Sequence, residues 1–214
     1  MPDFNFKQLI RKAHKTLNEN RNAKYEITDE VHSRNRNLRR IRALRDIRKH
    51  RVRAGDLGGY IESEKNLSQE SDAWISGDAR VSGDARVYEE ASVYGNASVY
   101  GEARVFDDAR VFDDASVSGK AQVTGYAEVF GNASVFGNAL VSGDAQVSGD
   151  AQVSGDAKVS SEAWVHGNAY VFGNASVYDR AQVSGSASVS GYAEVFGNAK
   201  VSGEAEVSGD ERIS

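Results

Sequence analysis

A six-residue phrase, repeated without interruption through the last two thirds of the chain, limits its possible folds more than any other feature. Val or Ile recurs at every sixth position from Ile75 to Ile213. Ala stands two residues earlier in each phrase from Ala73 to Ala205, and Glu211 replaces the last one. An unbroken short period predicts a solenoid, in which each repeat packs only against its neighbours.

The phrase, most often Ala-x-Val-x-Gly-Asp/Asn, predicts a short strand followed by a corner. Ala and Val are two residues apart, so on an extended strand they face the same side, and the residues next to them face outward. Gly accepts the positive φ of a corner, and Asn and Asp tolerate it best among the other residues. Three phrases per turn predict a triangular coil, and the 23 phrases between Ala73 and Asp210 predict between seven and eight turns.

Charge divides the chain into a basic head and an acidic rod. Residues 1–70 carry 17 Lys/Arg against 10 Asp/Glu, a net charge of +7, whereas residues 71–214 carry 9 against 21, a net charge of −12. There is no Cys, which excludes disulfides, cysteine zinc sites and a thiol nucleophile. No apolar run reaches membrane-spanning length and no signal-peptide core is present, so we expect a cytoplasmic protein with no membrane contact.

The non-repetitive head predicts two parts. Residues 1–23 contain apolar side chains at helical spacing behind a possible cap at Asp3, which predicts an amphipathic helix docked on the coil or on a partner subunit. Residues 24–70 predict a basic segment that caps the first turn, because the end of a parallel coil exposes unpaired backbone. The alternation over residues 24–28 is typical of a strand. Ile61 and Leu67, six apart, are expected to continue the Ala row toward the N-terminus.

Ten Lys/Arg fall between residues 34 and 53. The apolar residues among them fit a helix face (Leu38, Ile41, Leu44, Ile47) or a strand face (Ile41, Ala43, Ile47), and periodicity alone does not decide. The run fits phosphate binding and it fits equally well a strand whose arginines pair with acidic corners of a neighbouring subunit. The candidate residues for an anionic or protein partner are Arg39, Arg40, Arg42, Arg45 and Arg48.

The head and the repeats together resemble a known family. The stretch Arg40-Ile41-Arg42-Ala43-Leu44, the turn Gly55-Asp56-Leu57-Gly58-Gly59 and the continuation Asn66-Leu67-Ser68-Gln69 into Asp72-Ala73-Trp74-Ile75 are similar to those of bacteriophage and prophage hexapeptide-repeat proteins. Some members of that family carry an acyltransferase label. The resemblance implies a left-handed parallel β-helix, although the general rule for parallel crossovers would predict the right-handed sense. It also implies strand before the glycine turn and a homotrimer.

Hexapeptide-repeat acyltransferases resemble one another in using a His base that activates a hydroxyl or amine for attack on a coenzyme A thioester. His166 is the one histidine within the repeats, at a position occupied elsewhere by Ser, Phe or Tyr. No loop interrupts the repeats and no C-terminal helix follows them. We therefore expect His166 to be one variable outward side chain, and we expect neither catalysis nor a cofactor.

Two further groups of outward residues are candidate sites. Tyr94, Phe112 and Phe130 recur at intervals of three phrases, so they should stack as an aromatic ladder that contacts another subunit or, less simply, a sugar or base. Four carboxylates should meet at one corner, where they form either a solvated acidic edge or a weak site for a hard cation such as Ca²⁺. These carboxylates are Glu89, Glu90, Asp107 and Asp108.

The sequence from Gly125 to Ala133 recurs identically from Gly191 to Ala199. The interval is eleven phrases, which is not a whole number of turns, so the two copies should face different sides. Duplication of this kind favours a role in which length matters. The sequence therefore favours a non-enzymatic structural or binding protein of phage or prophage type. The alternatives are an acyltransferase and a binder that counters host defence by holding a protein, nucleic acid or small ligand.

Overall fold

The computed structural model describes residues 23–214 and shows a parallel β-solenoid. Each turn contributes one strand to each of three sheets. The 24 two-residue strands from Trp74–Ile75 to Arg212–Ile213 make eight turns. An irregular first turn over residues 57–73 precedes them, so the coil has one turn more than the repeats alone predict. The helix predicted within residues 1–23 lies outside the described residues.

Sheet 1 has eleven strands and begins with the head. Its three longer strands are β1 (Tyr25–His32), β2 (Asn35–Ala43) and β3 (Leu57–Ile61). One two-residue strand per turn follows: β5 (Arg80–Val81), β8 (Ser98–Val99), β11 (Ser116–Val117), β14 (Ser134–Val135), β17 (Gln152–Val153), β20 (Tyr170–Val171), β23 (Ser188–Val189) and β26 (Glu206–Val207).

Sheets 2 and 3 have eight strands each. Sheet 2 contains β4 (Trp74–Ile75), β7 (Ser92–Val93), β10 (Arg110–Val111), β13 (Glu128–Val129), β16 (Gln146–Val147), β19 (Trp164–Val165), β22 (Gln182–Val183) and β25 (Lys200–Val201). Sheet 3 contains β6 (Arg86–Val87), β9 (Arg104–Val105), β12 (Gln122–Val123), β15 (Leu140–Val141), β18 (Lys158–Val159), β21 (Ser176–Val177), β24 (Glu194–Val195) and β27 (Arg212–Ile213).

Valines stack on valines and alanines on alanines along the inside of the coil. In sheet 1, for example, Val99 pairs with Val117, and the N–H of Tyr100 donates to the carbonyl of Val117 at 3.0 Å. The Ala and Val rows are fully buried through Val195, and exposure begins only in the last turn, where Ile213 is 36% exposed. This small-residue interior is the predicted core. The duplicated sequence also behaves as predicted, because one copy supplies β13 of sheet 2 and the other supplies β24 of sheet 3.

Acidic residues replace Gly at some corners, and their side chains make hydrogen bonds there. Glu89, Asp107, Asp113 and Asp179 hold φ between 56° and 58°, a conformation that costs a residue with a Cβ on the order of 1 kcal/mol. The carboxylate of each accepts the N–H of the corner residue one turn later. Glu89 Oε2, for instance, lies 2.9 Å from the backbone nitrogen of Asp107. This side-chain hydrogen bond, which a Gly corner cannot make, offsets the strain of the positive φ.

The head closes the N-terminal edge of sheet 1 with an antiparallel hairpin. Strands β1 and β2 pair along their length, and β2 then pairs with β3. The strand interpretation of the basic run is therefore correct over Asn35–Ala43, and the helical one is wrong, because Leu44 on the supposed helix face is 42% exposed. Two short 3-10 helices follow, η1 (Arg48–His50) and η2 (Glu64–Asn66).

The glycine pair of the head allows β3 to approach the coil closely. A Cβ on Gly58 would lie 2.5 Å from Cγ1 of Ile41, and a Cβ on Gly59 would lie 2.5 Å from Cγ2 of Ile75. Both distances are shorter than atoms can tolerate, so this contact requires glycine. The Gly-Gly motif therefore seats the hairpin on the first regular turn.

The first turn has a different register from the one the sequence suggested. Ile61 pairs with Val81 and Leu67 with Val87, so both lie in the Val row and not in the predicted Ala row. From Leu67 to Ile75 the spacing is eight residues, two more than one phrase. A shift of two residues keeps each side chain on the same face of a strand, so alternation alone fits both registers.

Asn66 makes the hydrogen bonds that a strand below the first regular corner would otherwise make. Its side chain is fully buried, and its Nδ2 donates to the carbonyls of Gly83 at 3.0 Å and Ala85 at 2.9 Å. Elsewhere in the coil the equivalent carbonyls accept backbone N–H groups from the turn below. Its Oδ1 accepts the N–H groups of Glu62 and Ser63. One amide therefore satisfies four backbone groups at the edge of the coil.

A second group of buried polar contacts ties β1 to the first turn. Lys24 is fully buried, and its Nζ donates to the carbonyls of Ser71 at 2.9 Å and Ala73 at 2.6 Å. Burial lowers the pKa of Lys24 to about 7, with the charge of Arg45 acting in the same direction. The hydroxyl of Tyr25 donates to the carbonyl of Leu67 at 2.8 Å. These contacts hold the hairpin in one position over the open end.

Candidate functional site

The predicted aromatic ladder forms on the outer surface of sheet 2. The rings of Tyr94 and Phe112 lie 4.9 Å apart with planes 2° from parallel, and Phe112 and Phe130 repeat that geometry at 4.9 Å and 1°. Parallel strands in register set this spacing, since equivalent residues of successive turns lie about 4.8 Å apart. The three rings cover one another, so each is half-buried. The stacking prediction for these residues is confirmed.

His166 lies on the same surface, two turns beyond Phe130. Its ring stacks on Trp164, with centroids 3.9 Å apart, and the Trp164 indole nitrogen donates to the Ser148 hydroxyl at 3.1 Å. Partial burial lowers the pKa of His166, so its imidazole is neutral at pH 7. Its immediate contact is therefore an aromatic face, and it lines neither the groove next to η2 nor the groove between the head and sheet 2.

A groove of about 710 Å³ opens at the N-terminal end of the ladder, between the head and sheet 2. The head contributes residues 50–52 with Asp56 and Leu57, and the coil contributes Trp74, Tyr94 and Arg110. Arg51 takes a left-handed conformation, φ 57°, at the end of η1. The groove thus presents two guanidinium groups and the first ring of the ladder to one space. Arg51, Trp74 and Arg110 were not among the predicted site residues.

Four of the five arginines predicted to bind a partner instead pair with carboxylates of their own chain. Arg40 is the most enclosed member, because Nη1 reaches Glu30 at 3.0 Å and Nε donates to the carbonyl of Gly58 at 3.0 Å. Arg48 has no carboxylate partner among residues 23–214 and begins η1 beside the groove. The pairs are Arg39–Asp29 at 3.7 Å, Arg40–Glu30 at 3.0 Å, Arg42–Glu26 at 2.8 Å and Arg45–Asp72 at 3.7 Å.

The acidic corner is bridged by a lysine. Nζ of Lys49 lies 2.5 Å from Glu90 and 2.5 Å from Asp108, in successive turns. These contacts raise the pKa of Lys49, with the hydrogen bonds to the two carboxylates as the main cause. The other two carboxylates of the corner, Glu89 and Asp107, accept backbone N–H groups, and the Thr124 hydroxyl also donates to Asp107. The head therefore supplies the positive charge that bridges this corner, the ammonium group of Lys49.

Two absences hold for the part of the chain that the structure describes. No cluster of three or more His, Cys, Asp or Glu side chains is arranged to hold a metal ion. No helix in residues 23–214 combines the length and the apolar character that crossing a membrane requires.

The fold and its repeats define a β-solenoid repeat protein. A family model described as the YdcK beta solenoid repeat matches the chain at residues 73–89 and again at residues 133–149. The matches cover repeats of the coil, so the similarity concerns the repeat and leaves the head outside, although Trp74 of the groove lies within the first match. A search of curated proteins finds no match to the chain.

Proposed function

We propose that the protein is a non-enzymatic structural or binding protein of phage or prophage type. It would act as a β-solenoid rod that binds an anionic partner in the groove between its head and sheet 2. The observation that carries the proposal is the groove itself, where Arg51 and Arg110 flank Tyr94, the first ring of the ladder. Guanidinium groups bind phosphate or sulfate, and an aromatic face binds a flat ring next to it.

The charges around the groove support an anion more than a cation. Arg110 pairs with Glu128 at 3.3 Å, yet its side chain remains 58% exposed and can turn toward a ligand. Asp56 is the acidic residue of the lining, and its Oδ2 already accepts the N–H of Arg53 at 2.8 Å. Burial lowers the pKa of His50, which is therefore neutral at pH 7 and contributes a polar edge without charge.

The acyltransferase alternative requires His166 to meet a nucleophile and a thioester. Its imidazole instead packs on Trp164. His166 lies two turns beyond Phe130, the last ring of the ladder. The left-handed sense and the homotrimer remain expectations of the resemblance, and the cytoplasmic location remains an expectation from the sequence; binding in the groove requires none of the three.

Binding of a labelled single-stranded oligonucleotide tests the groove. Trp164→Phe serves as the background, so that Trp74 in the groove is the one remaining indole and reports the ligand by a change in fluorescence. We expect Arg51→Gln and Arg110→Gln each to weaken binding by roughly tenfold, because each variant removes a charge-assisted hydrogen bond to the phosphate. The slope of log K against log salt should fall by about 0.7 for each guanidinium that no longer neutralises a phosphate.

Arg180→Gln is the matched control, since Arg180 pairs with Glu162 at 3.0 Å on an exposed corner away from the head. It should leave the affinity unchanged. Equal affinities for the groove variants and this control would show that the groove binds no anion. Thioester turnover that disappears in His166→Ala would favour the acyltransferase instead.

A further inference from the structure

The outer surface of sheet 1 carries no charge across six consecutive turns. From β8 to β23 each strand presents two outward side chains, one before and one after its Val, and none of the twelve is charged. The same turns of the other two sheets carry charges, namely Arg110 and Glu128 on sheet 2, and Arg104, Lys158 and Glu194 on sheet 3. Loss of charge with retention of aromatic residues is the composition of an interface core.

The row after Val on sheet 1 alternates between aromatic residues and serine. In order it reads Tyr100, Ser118, Phe136, Ser154, Phe172, Ser190. Two turns separate successive rings, about 9.6 Å, so they cannot stack on one another as the rings of sheet 2 do. Tyr100 is 46% exposed, Phe136 39% and Phe172 43%. Each serine leaves a slot in which a foreign ring would lie about 4.8 Å from both neighbours, within stacking range.

We propose that this surface pairs two copies of the chain in antiparallel orientation. A two-fold axis along the strand direction, midway between β14 and β17, reverses the order of the turns and keeps each row facing itself. Every ring of one copy then enters a serine slot of the other: Tyr100 opposite Ser190, Phe136 opposite Ser154, Phe172 opposite Ser118. In the row before Val, Tyr170 likewise faces Ser116, and Gln152 faces Ser134.

The same axis also pairs opposite charges at the two ends of the surface. It brings Arg80 of β5 opposite Glu206 of β26, twice in each dimer. Within residues 23–214 neither side chain has an ion-pair partner of its own chain. The Arg80 guanidinium donates to the carbonyl of Asn96 at 3.1 Å, and its Nε has no partner. A parallel pairing, about a two-fold axis along the coil, would exchange the two rows, so that Arg80 would face Ser82 and Glu206 would face Ser208 and both charges would stay unpaired.

The corners that border the surface agree with this register. Across the six central turns, each acidic residue at the second position of a corner faces a neutral hydrogen-bonding residue of the partner. Only the outermost corners oppose two acids, Asp84 with Asp210 and Asp78 with Glu204, and Asp84 is already paired with Lys65 at 2.6 Å. The central pairs are Asp156 with Asn138, Asp150 with Asn132, Asp114 with Asn168 and Glu102 with Tyr192.

The available area suits a specific dimer of moderate strength. Eight turns at about 4.8 Å, and a strand segment about 15 Å wide, give on the order of 500 Å² on each copy. The total of about 1,000 Å² is at the lower end for specific protein interfaces. Pairing through sheet 1 leaves the groove on sheet 2 accessible, so the inference is independent of what the groove binds.

Sedimentation velocity over a range of concentrations tests the pairing. We expect the wild-type chain to form a dimer that dissociates on dilution. Phe136→Lys should raise the dissociation constant on the order of 100-fold, because each dimer loses two central rings. Phe130→Lys is the matched control, since Phe130 holds the equivalent position one phrase earlier but faces outward from sheet 2. Circular dichroism would verify that both variants remain folded.

A charge exchange tests the register. Arg80→Glu and Glu206→Arg should each weaken the dimer roughly tenfold, and the double variant should regain wild-type affinity, because the pair is re-formed with its charges reversed. A chain that stays monomeric at all concentrations, a trimer, or a dimer that Phe136→Lys leaves intact would overturn the proposal. Failure of the double variant to regain affinity would overturn the antiparallel register.

Discussion

Replacing Asn66 by Ala removes the side chain that closes the N-terminal edge of the first regular corner. The carbonyls of Gly83 and Ala85 lose their donor and the N–H of Ser63 loses its acceptor, whereas the N–H of Glu62 keeps the Val81 carbonyl at 3.1 Å. A buried backbone group without a partner costs about 1–3 kcal/mol. Water can reach part of the opened site, so we expect a total cost of about 2–4 kcal/mol.

The destabilisation should be local, because each turn of a solenoid is stabilised mainly by its neighbours. Amide hydrogen exchange measured by mass spectrometry is therefore the appropriate assay. Peptides within residues 57–90 should exchange roughly 30- to 1,000-fold faster, as expected for a local opening made 2–4 kcal/mol easier. Peptides within residues 140–190 should keep their wild-type rates.

Asn138→Ala is the control for the loss of an asparagine side chain as such. Its amide donates to Asp156 at 2.9 Å on the exposed surface, so the cost should stay below about 1 kcal/mol. Asn66→Asp should be worse than Asn66→Ala near neutral pH, because a carboxylate would face two carbonyl oxygens. If exchange near residue 85 were the same in Asn66→Ala and Asn138→Ala, the assignment of Asn66 as the edge-closing residue would be wrong.

Two further predictions concern strain and pH. Gly185→Ala should cost about 1–2 kcal/mol more than Gly203→Ala in urea unfolding, because both have positive φ but only the Gly185 Cβ would meet a neighbouring turn, 2.8 Å from a backbone nitrogen. Gly185→Asp should recover part of that cost by accepting the N–H above it, as Asp107 does, and equal costs for all three would refute this account. Because of Lys24, we expect the melting temperature to rise between pH 7 and 10. In the unfolded chain the Lys24 amine stays protonated up to about pH 10.5, whereas burial in the folded chain lowers its pKa to about 7. Lys24→Met should flatten this rise, and parallel profiles for the two proteins would contradict it.

The repeat made most of the fold predictable. The Ala and Val rows, the corners, the count of regular turns and the stacked ladder all follow from one period, since every turn sees the same neighbours. The irregular first turn was not predictable, because a two-residue insertion between Leu67 and Ile75 leaves the alternation of faces unchanged. Only pairing with Val87 distinguishes the two registers.

The candidate site was predicted in part. The ladder was found from spacing, whereas its groove depends on where η1 places Arg51, and no periodicity encodes that position. The acidic corner was expected to be a solvated edge or a weak metal site, but Lys49 reaches it from the head, 59 residues from Asp108. Contacts that join the irregular head to the regular coil involve residues far apart in sequence, so a single sequence carries little signal for them. The handedness of the coil stays a prediction.

Because each turn takes 18 residues, the number of phrases before a residue determines which side of the rod it faces. Inserting or deleting one phrase rotates everything beyond it by a third of a revolution, and only changes of three phrases return each side chain to its own side. A surface that depends on several turns, such as the uncharged one of sheet 1, is therefore erased by a single-phrase change even though every core contact survives. The rod can vary in length at almost no cost to its core, but a change of length preserves a surface that spans several turns only when it comes in steps of a whole turn.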